Sequence, residues 1–145
     1  TDRFKRYVIV ATDCRPSTDS KNLLFQYDVS NSLETGTYNS AFFSADANGG
    51  SGSGHADDQT VGLVLNNIGT NGNEAGHVIM WLDPRSTNTP KFLGYRSIGQ
   101  MADTTTRYIT GSVAYNSATQ MTGINWYWSS GNFESGTIKI YGVQE

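Results

Sequence analysis

The sequence predicts a single all-β domain spanning residues 1–145, an antiparallel, jelly-roll-like β-sandwich of about eight or nine short strands. Apolar residues recur at every second position through most of the chain, and clusters of Gly, Asn, Ser and Pro separate these runs. No segment shows the apolar period of a helix. With 145 residues, 3 Trp, 8 Tyr and 6 Phe, the chain has the length and bulk for one core without metals or disulfides.

The clearest predicted strand covers residues 22–30. Leu23, Phe25, Tyr27 and Val29 fall on one face and polar residues fall on the other, which is the pattern of a half-buried antiparallel strand. The same alternation predicts further strands at residues 4–10, 38–45, 60–66, 77–83, 91–97, 107–115, 122–129 and 137–143.

Turn-forming segments separate these strands at residues 15–17, 48–54, 69–73, 84–90 and 129–132. The Gly-rich part, residues 49–54, is expected to be a flexible surface loop. It has no Lys-Ser or Lys-Thr ending, so it is not a phosphate-binding loop. Asp46 and Asn48 are similar to the start of a calcium loop, but its later oxygen ligands and closing Glu are missing.

Charge and cysteine content exclude several classes of function. The chain has 10 Lys and Arg against 13 Asp and Glu, a net charge of −3, whereas nucleic-acid binding needs clustered cations. The sequence contains no run of about 18 apolar residues, so no membrane-spanning segment is predicted. Cys14 is the single cysteine, so no intrachain disulfide can form, and an inert thiol is expected.

No catalytic, cofactor-binding or metal site is expected, and the chain is predicted not to be an enzyme. His55, Asp57 and Asp58 form the tightest cluster of potential ligands, but their spacing matches no zinc motif. His77 begins an apolar strand and is expected to be structural. The sequence has no Gly-x-Ser-x-Gly elbow and no pair of strand-borne carboxylates suited to glycoside hydrolysis.

The C-terminal quarter predicts two neighbouring strands with different faces. Ile124, Trp126 and Trp128 fall on one face, and Ile138 and Ile140 continue it on the next strand, so all five are expected in the core. Aromatic residues on the opposite face suggest contact with a second subunit or a ligand. The candidate partner or glycan contacts on that face are Asn125, Tyr127, Lys139 and Tyr141.

Residues 128–143, WSSGNFESGTIKIYGV, resemble the last hairpin of many tailed-phage virion proteins. These are fibre, receptor-binding or capsid-surface domains, and residues 4–11 and 17–27 are similar to the way such domains begin. The resemblance implies a homotrimeric jelly-roll domain on the virion surface, without cofactor. It also implies contact with other virion proteins and with a host-surface glycan or protein.

Two classes of function follow. The first is a virion structural protein, either a fibre-tip, receptor-binding domain that mediates host attachment or a capsid decoration protein. The second is a carbohydrate-binding module of a secreted enzyme, in which exposed Trp and Tyr would stack on sugar rings. The chain opens at Thr1 without Met, and we expect a processed or trimmed protein or the C-terminal part of a longer fibre chain.

Overall fold

The computed structural model describes residues 4, 6–29, 32–36, 38–59, 62–83, 91–117, 119 and 121–144. These residues form eleven strands and no helix, and none of them lies in a helix of the length and apolarity that a membrane span requires. The strands are β1 (Arg6–Pro16), β2 (Lys21–Val29), β3 (Ser32–Leu33), β4 (Tyr38–Asp46), β5 (Ser51–Gln59), β6 (Gly62–Ile68), β7 (Gly76–Leu82), β8 (Lys91–Gln100), β9 (Thr106–Tyr115), β10 (Gly123–Trp128) and β11 (Phe133–Val143).

The strands form two antiparallel sheets, which confirms the predicted all-β, jelly-roll-like sandwich. The larger sheet has seven strands in the order β11-β1-β7-β8-β9-β4-β5. The smaller sheet is built on β2, which pairs with β10 along one edge and with β6 and β3 along the other. The larger sheet is therefore much wider than the sheet that packs against it.

The core lies between the two sheets and follows from the alternation of side chains along each strand. In β7, Val78, Met80 and Leu82 are buried whereas Trp81 is exposed. The buried residues of β7 face those of β2, since Leu23 and its alternate neighbours belong to the same cluster. One face of the seven-stranded sheet is thus covered over its central strands, and the other is left to solvent.

Four aromatic rings pack together at one end of the core. Tyr27 and Tyr38 each contact the other three rings of the group Phe25, Tyr27, Tyr38 and Tyr115, with ring centroids 5.2–6.2 Å apart. The Tyr38 hydroxyl accepts a hydrogen bond from the backbone N–H of Tyr27 at 2.7 Å and donates one to the Glu34 carbonyl at 3.3 Å. Because these groups are buried, this bond ties β2 to β4 across the core.

The prediction of a loop at residues 49–54 is wrong from Ser51 onwards, where β5 begins. A turn of residues 47–49 leads directly into β5, which pairs with β4 from Ala45 to Tyr38. The Phe42 ring lies directly over Gly54, since a Cβ on Gly54 would come 2.8 Å from that ring. The two-residue strand β3 was also not predicted, and the predicted turn at residues 84–90 lies outside the described residues.

The predicted pairing of the last two strands is also wrong. β10 pairs with β2 in the smaller sheet, whereas β11 pairs with β1 in the larger one. The four residues between them cross from one sheet to the other. Ser17 fixes this crossing, since its N–H donates to the Asn132 carbonyl at 2.8 Å and its Oγ accepts from the Asn132 N–H at 2.9 Å.

The five predicted core residues divide between β10, where they pack against the core, and β11, where they do not. Trp128 is buried, and Ile124 and Trp126 are partly buried against the core. Ile138 and Ile140 are 40% and 57% exposed, so their placement in the core is wrong. They lie on the same side of the sheet as Ile9 and Ala11 (their partners in β1), but the smaller sheet does not cover β11, whose every residue is exposed.

Candidate functional site

The uncovered side of the seven-stranded sheet, here called the outer face, is the candidate site. It presents large apolar side chains to solvent at the outward positions of β4, β7, β8, β9 and β11. Monomeric proteins rarely expose large contiguous apolar patches, and such patches mark interaction surfaces. The exposed residues are Phe43, Trp81, Phe92, Ile98, Tyr108 and Tyr141.

A trough crosses the outer face at right angles to the strands. The strand registers place Trp81 opposite Gly94, Gly94 opposite Ser112, Ser112 opposite Ala41, and Ala41 opposite His55. The three middle residues of this row are small, while the end residues are ring-bearing. Four strand spacings separate the ends, so the trough is about 19 Å long.

Larger side chains in the neighbouring rows border the trough. Phe92, 61% exposed, stands on one side, where its row continues as Ala114 and Asn39, and Phe43 and Arg96 stand on the other. A Cβ built on Gly94 would meet nothing within 4 Å, so the floor beside Trp81 is open. The Arg96 guanidinium carbon lies 6.0 Å from the centre of the Trp81 ring, a cation–π distance that helps to hold both side chains.

A second depression of about 400 Å³ lies on the other side of Arg96. Its floor is apolar, and a pocket of this size accommodates a small ligand or one unit of a larger one. Arg96 borders both the trough and the depression, which makes it the central cation of the outer face. The depression is lined by Val10, Thr12, His77, Ile79, Ile98 and Tyr108.

Both histidines of the chain lie on the outer face, and one of them is held by contacts with Asp13. His77 Nδ1 accepts the N–H of Asp13 at 3.4 Å, and its Nε2 lies 3.8 Å from the Asp13 carboxylate. His55 is exposed at one end of the trough, and the side chains of Asp57 and Asp58 lie outside the described part of the chain. Within the described ranges, no three His, Cys, Asp or Glu residues are grouped to hold a metal ion.

The outer face is cationic although the chain carries a net charge of −3. Outward positions of the central strand β8 and of β11 carry Arg96 and Lys139. No Asp or Glu stands at an outward position of β4, β7, β8, β9 or residues 6–12 and 137–143 of β1 and β11. Aromatic rings together with Arg96 and Lys139 favour an anionic ligand.

The four contact residues predicted from the sequence do not share one face. Asn125 and Tyr127 point outward from the smaller sheet, since their β2 partners Gln26 and Leu24 alternate with core residues. Lys139 and Tyr141 lie on the outer face of the larger sheet, opposite residues of β1. The structure therefore joins two of the four to the candidate site and leaves the other two on the opposite side of the sandwich.

Sequence reasoning missed Trp81, Phe92 and Arg96. Residues 78–82 are apolar without interruption, a pattern typical of a strand buried on both faces, so nothing marked Trp81 as exposed. Comparisons with protein-family models, curated proteins and solved structures returned no match.

Proposed function

We propose that the domain is a virion surface attachment module of the fibre-tip kind, which binds an acidic saccharide of the host surface in the outer-face trough. The observation that carries the proposal is the combination in one trough of exposed aromatic rings and an arginine whose guanidinium lies 6.0 Å from the Trp81 ring. The virion setting is supported by the resemblance of residues 128–143 to phage proteins.

The chemistry of the trough suits a sugar chain with carboxylate groups. The rings of Trp81 and Phe92 offer apolar faces to the C–H faces of pyranose rings. The Arg96 guanidinium presents a planar fork of donors that matches a carboxylate in a bidentate hydrogen-bonded pair. Since the trough is about 19 Å long and open at its floor, an extended chain of several sugar units can lie across the strands.

A carbohydrate-binding module of a secreted enzyme is the second candidate, because the same trough would serve it equally well. A capsid decoration role would not need a ligand in the trough. The homotrimer stays a prediction that rests on the resemblance alone, because Asn125 and Tyr127 lie on a different sheet from Lys139 and Tyr141, and the trough does not depend on it.

Calorimetric titration with a carboxylated oligosaccharide, such as an oligogalacturonate, and its neutral counterpart tests the proposal. The acidic chain should bind and the neutral chain should bind at least tenfold more weakly. Arg96→Gln should weaken binding about 10- to 100-fold, because a hydrogen bond to a charged group contributes roughly 1.5–3 kcal/mol. Gly94→Val should fill the trough floor and abolish binding without unfolding, since its β-carbon has open space.

Tyr127→Ala is the matched control, because Tyr127 lies on the outer side of the smaller sheet. It should leave the affinity unchanged. Equal affinity for acidic and neutral chains, or full affinity in Gly94→Val, would contradict the proposed site. The absence of binding to a panel of acidic glycans would leave capsid decoration as the better account.

A further inference from the structure

The edge strand β11 is exposed along its whole length. Every residue from Phe133 to Val143 is exposed, and among the described strands β11 pairs with β1 alone. Its large apolar residues lie on both faces, with Ile138 and Ile140 on the core side and Tyr141 and Val143 on the outer face. The smaller sheet covers the core side of the central strands, but it does not cover the core side of β11.

The edge also lacks the usual protection against further pairing. In most proteins, proline, several charges, a bulge or a short length prevents an edge strand from pairing with another chain. Residues 137–143 contain no proline and one charge, Lys139, and they pair with β1 in an uninterrupted ladder from Thr12 to Arg6. The register shifts occur only before Thr137, where Gly136 has a φ of +144°. The free backbone groups of this regular segment form a template for another strand.

We infer that β11 pairs with β11 of a second copy of this chain, antiparallel across a twofold axis at Ile140. A twofold contact is self-complementary, so one exposed strand suffices to form it. Ile140 is the centre of the regular segment 137–143, so this axis gives that segment its longest overlap. An axis at Lys139 would set like charges opposite one another, which is destabilising. An axis at Ile138 would extend the pairing into the irregular residues 133–136.

The Ile140 axis fits the side chains of both faces. It places Ile140 opposite the partner's Ile140. It also places Ile138 opposite the partner's Gly142, where a Phe4 ring lies over the glycine, so apolar side chains of both copies meet beyond the edges of the smaller sheets. On the outer face it places Lys139 opposite the partner's Tyr141, a favourable cation–aromatic pair. Since the axis is perpendicular to the sheet, both outer faces point the same way, and the dimer would be bivalent towards a surface.

Cysteine cross-linking tests both the contact and its register. Ile140→Cys should form a disulfide-linked dimer on mild oxidation, because directly opposed Cα atoms lie about 4.5–5.5 Å apart. Ile138→Cys is the matched control on the same face, since its two copies would be more than about 12 Å apart. The unmodified chain is the second control, because Cys14 is buried. Light scattering of that chain should give twice the monomer mass.

A charge variant provides a readout that does not depend on oxidation. Ile140→Glu sets two carboxylates opposite each other and should shift the mass to that of the monomer. Ile98→Glu adds the same charge at a comparably exposed position away from β11 and should keep the dimer mass. Circular dichroism should show both variants folded. A monomeric parent chain, a trimer without cross-linking at residue 140, or cross-linking at residue 138 instead of 140 would overturn the inference.

Discussion

Removal of one hydroxyl from each of two packed tyrosines should have opposite effects on stability. Tyr38 and Tyr27 are both fully buried and their ring centroids are 5.8 Å apart. Tyr38→Phe removes the acceptor of the Tyr27 N–H and the donor to the Glu34 carbonyl. Because a buried N–H then has no partner, the variant should lose about 1–3 kcal/mol of unfolding free energy. That is a large part of the roughly 5–15 kcal/mol that holds a domain together.

Tyr27→Phe is the matched control. The Tyr27 hydroxyl is buried and has no hydrogen-bond partner among the described residues, so its removal deletes an unsatisfied polar group. The variant should be as stable as the parent or more stable by up to about 2 kcal/mol. The ring, its volume and its contacts are retained in both variants, so the difference isolates the hydroxyl bonds.

Urea unfolding monitored by tryptophan fluorescence measures both effects. With an m-value of about 1–3 kcal/mol/M, a loss of 2 kcal/mol lowers the midpoint by roughly 1 M. Equal destabilisation by the two variants would show that the Tyr27 hydroxyl also has a partner. A neutral Tyr38→Phe would refute the assignment of that hydroxyl as the link between β2 and β4.

Three further measurements test the core. Trp128→Ala should cost about 3–5 kcal/mol in urea unfolding because Trp128 is buried, and Trp126→Ala should cost less because that ring is partly exposed. Burial raises the pKa of Tyr38 and Tyr95 to about 12, whereas unfolded tyrosine ionises near pH 10. The free energy of unfolding should therefore be constant below pH 10 and fall as the pH rises towards 12. Circular dichroism at alkaline pH measures this loss. Burial also raises the pKa of the Cys14 thiol to about 11. A thiol reagent at pH 8 should therefore react with Cys14 only after unfolding. Rapid reaction in the folded protein would contradict the burial of Cys14.

The alternation of side chains predicted the sandwich because it records which residues face a core. All nine predicted strands are present, and β2 carries its buried residues at the alternate positions expected. β5 could not be predicted because Ser51–Gly54 has the composition of a turn. Its strand conformation comes from the ladder with β4 and from the Phe42 ring that lies over Gly54, and neither is a local property of the sequence.

The candidate site was less predictable because it depends on which strands are neighbours. A four-residue link is compatible with a hairpin and with a crossing between sheets, and alternation alone does not distinguish them. Ile138 and Ile140 show the same limit, since alternation assigns them to the core side but does not reveal how far the smaller sheet extends. The trough likewise requires the registers of β7, β8, β9, β4 and β5, which bring Trp81 and Gly94 into one row.

Chemical-shift mapping of the isotope-labelled domain with the carboxylated oligosaccharide tests the outer-face site most directly. The largest shifts should fall on the Trp81 indole, the Arg96 guanidinium and the backbone amides of Gly94 and Ser112, which lie in the trough or border it. The neutral oligosaccharide should cause much smaller shifts at the same residues. Shifts centred on Tyr127 and the smaller sheet would contradict the account, because they would place the ligand on the opposite side of the sandwich.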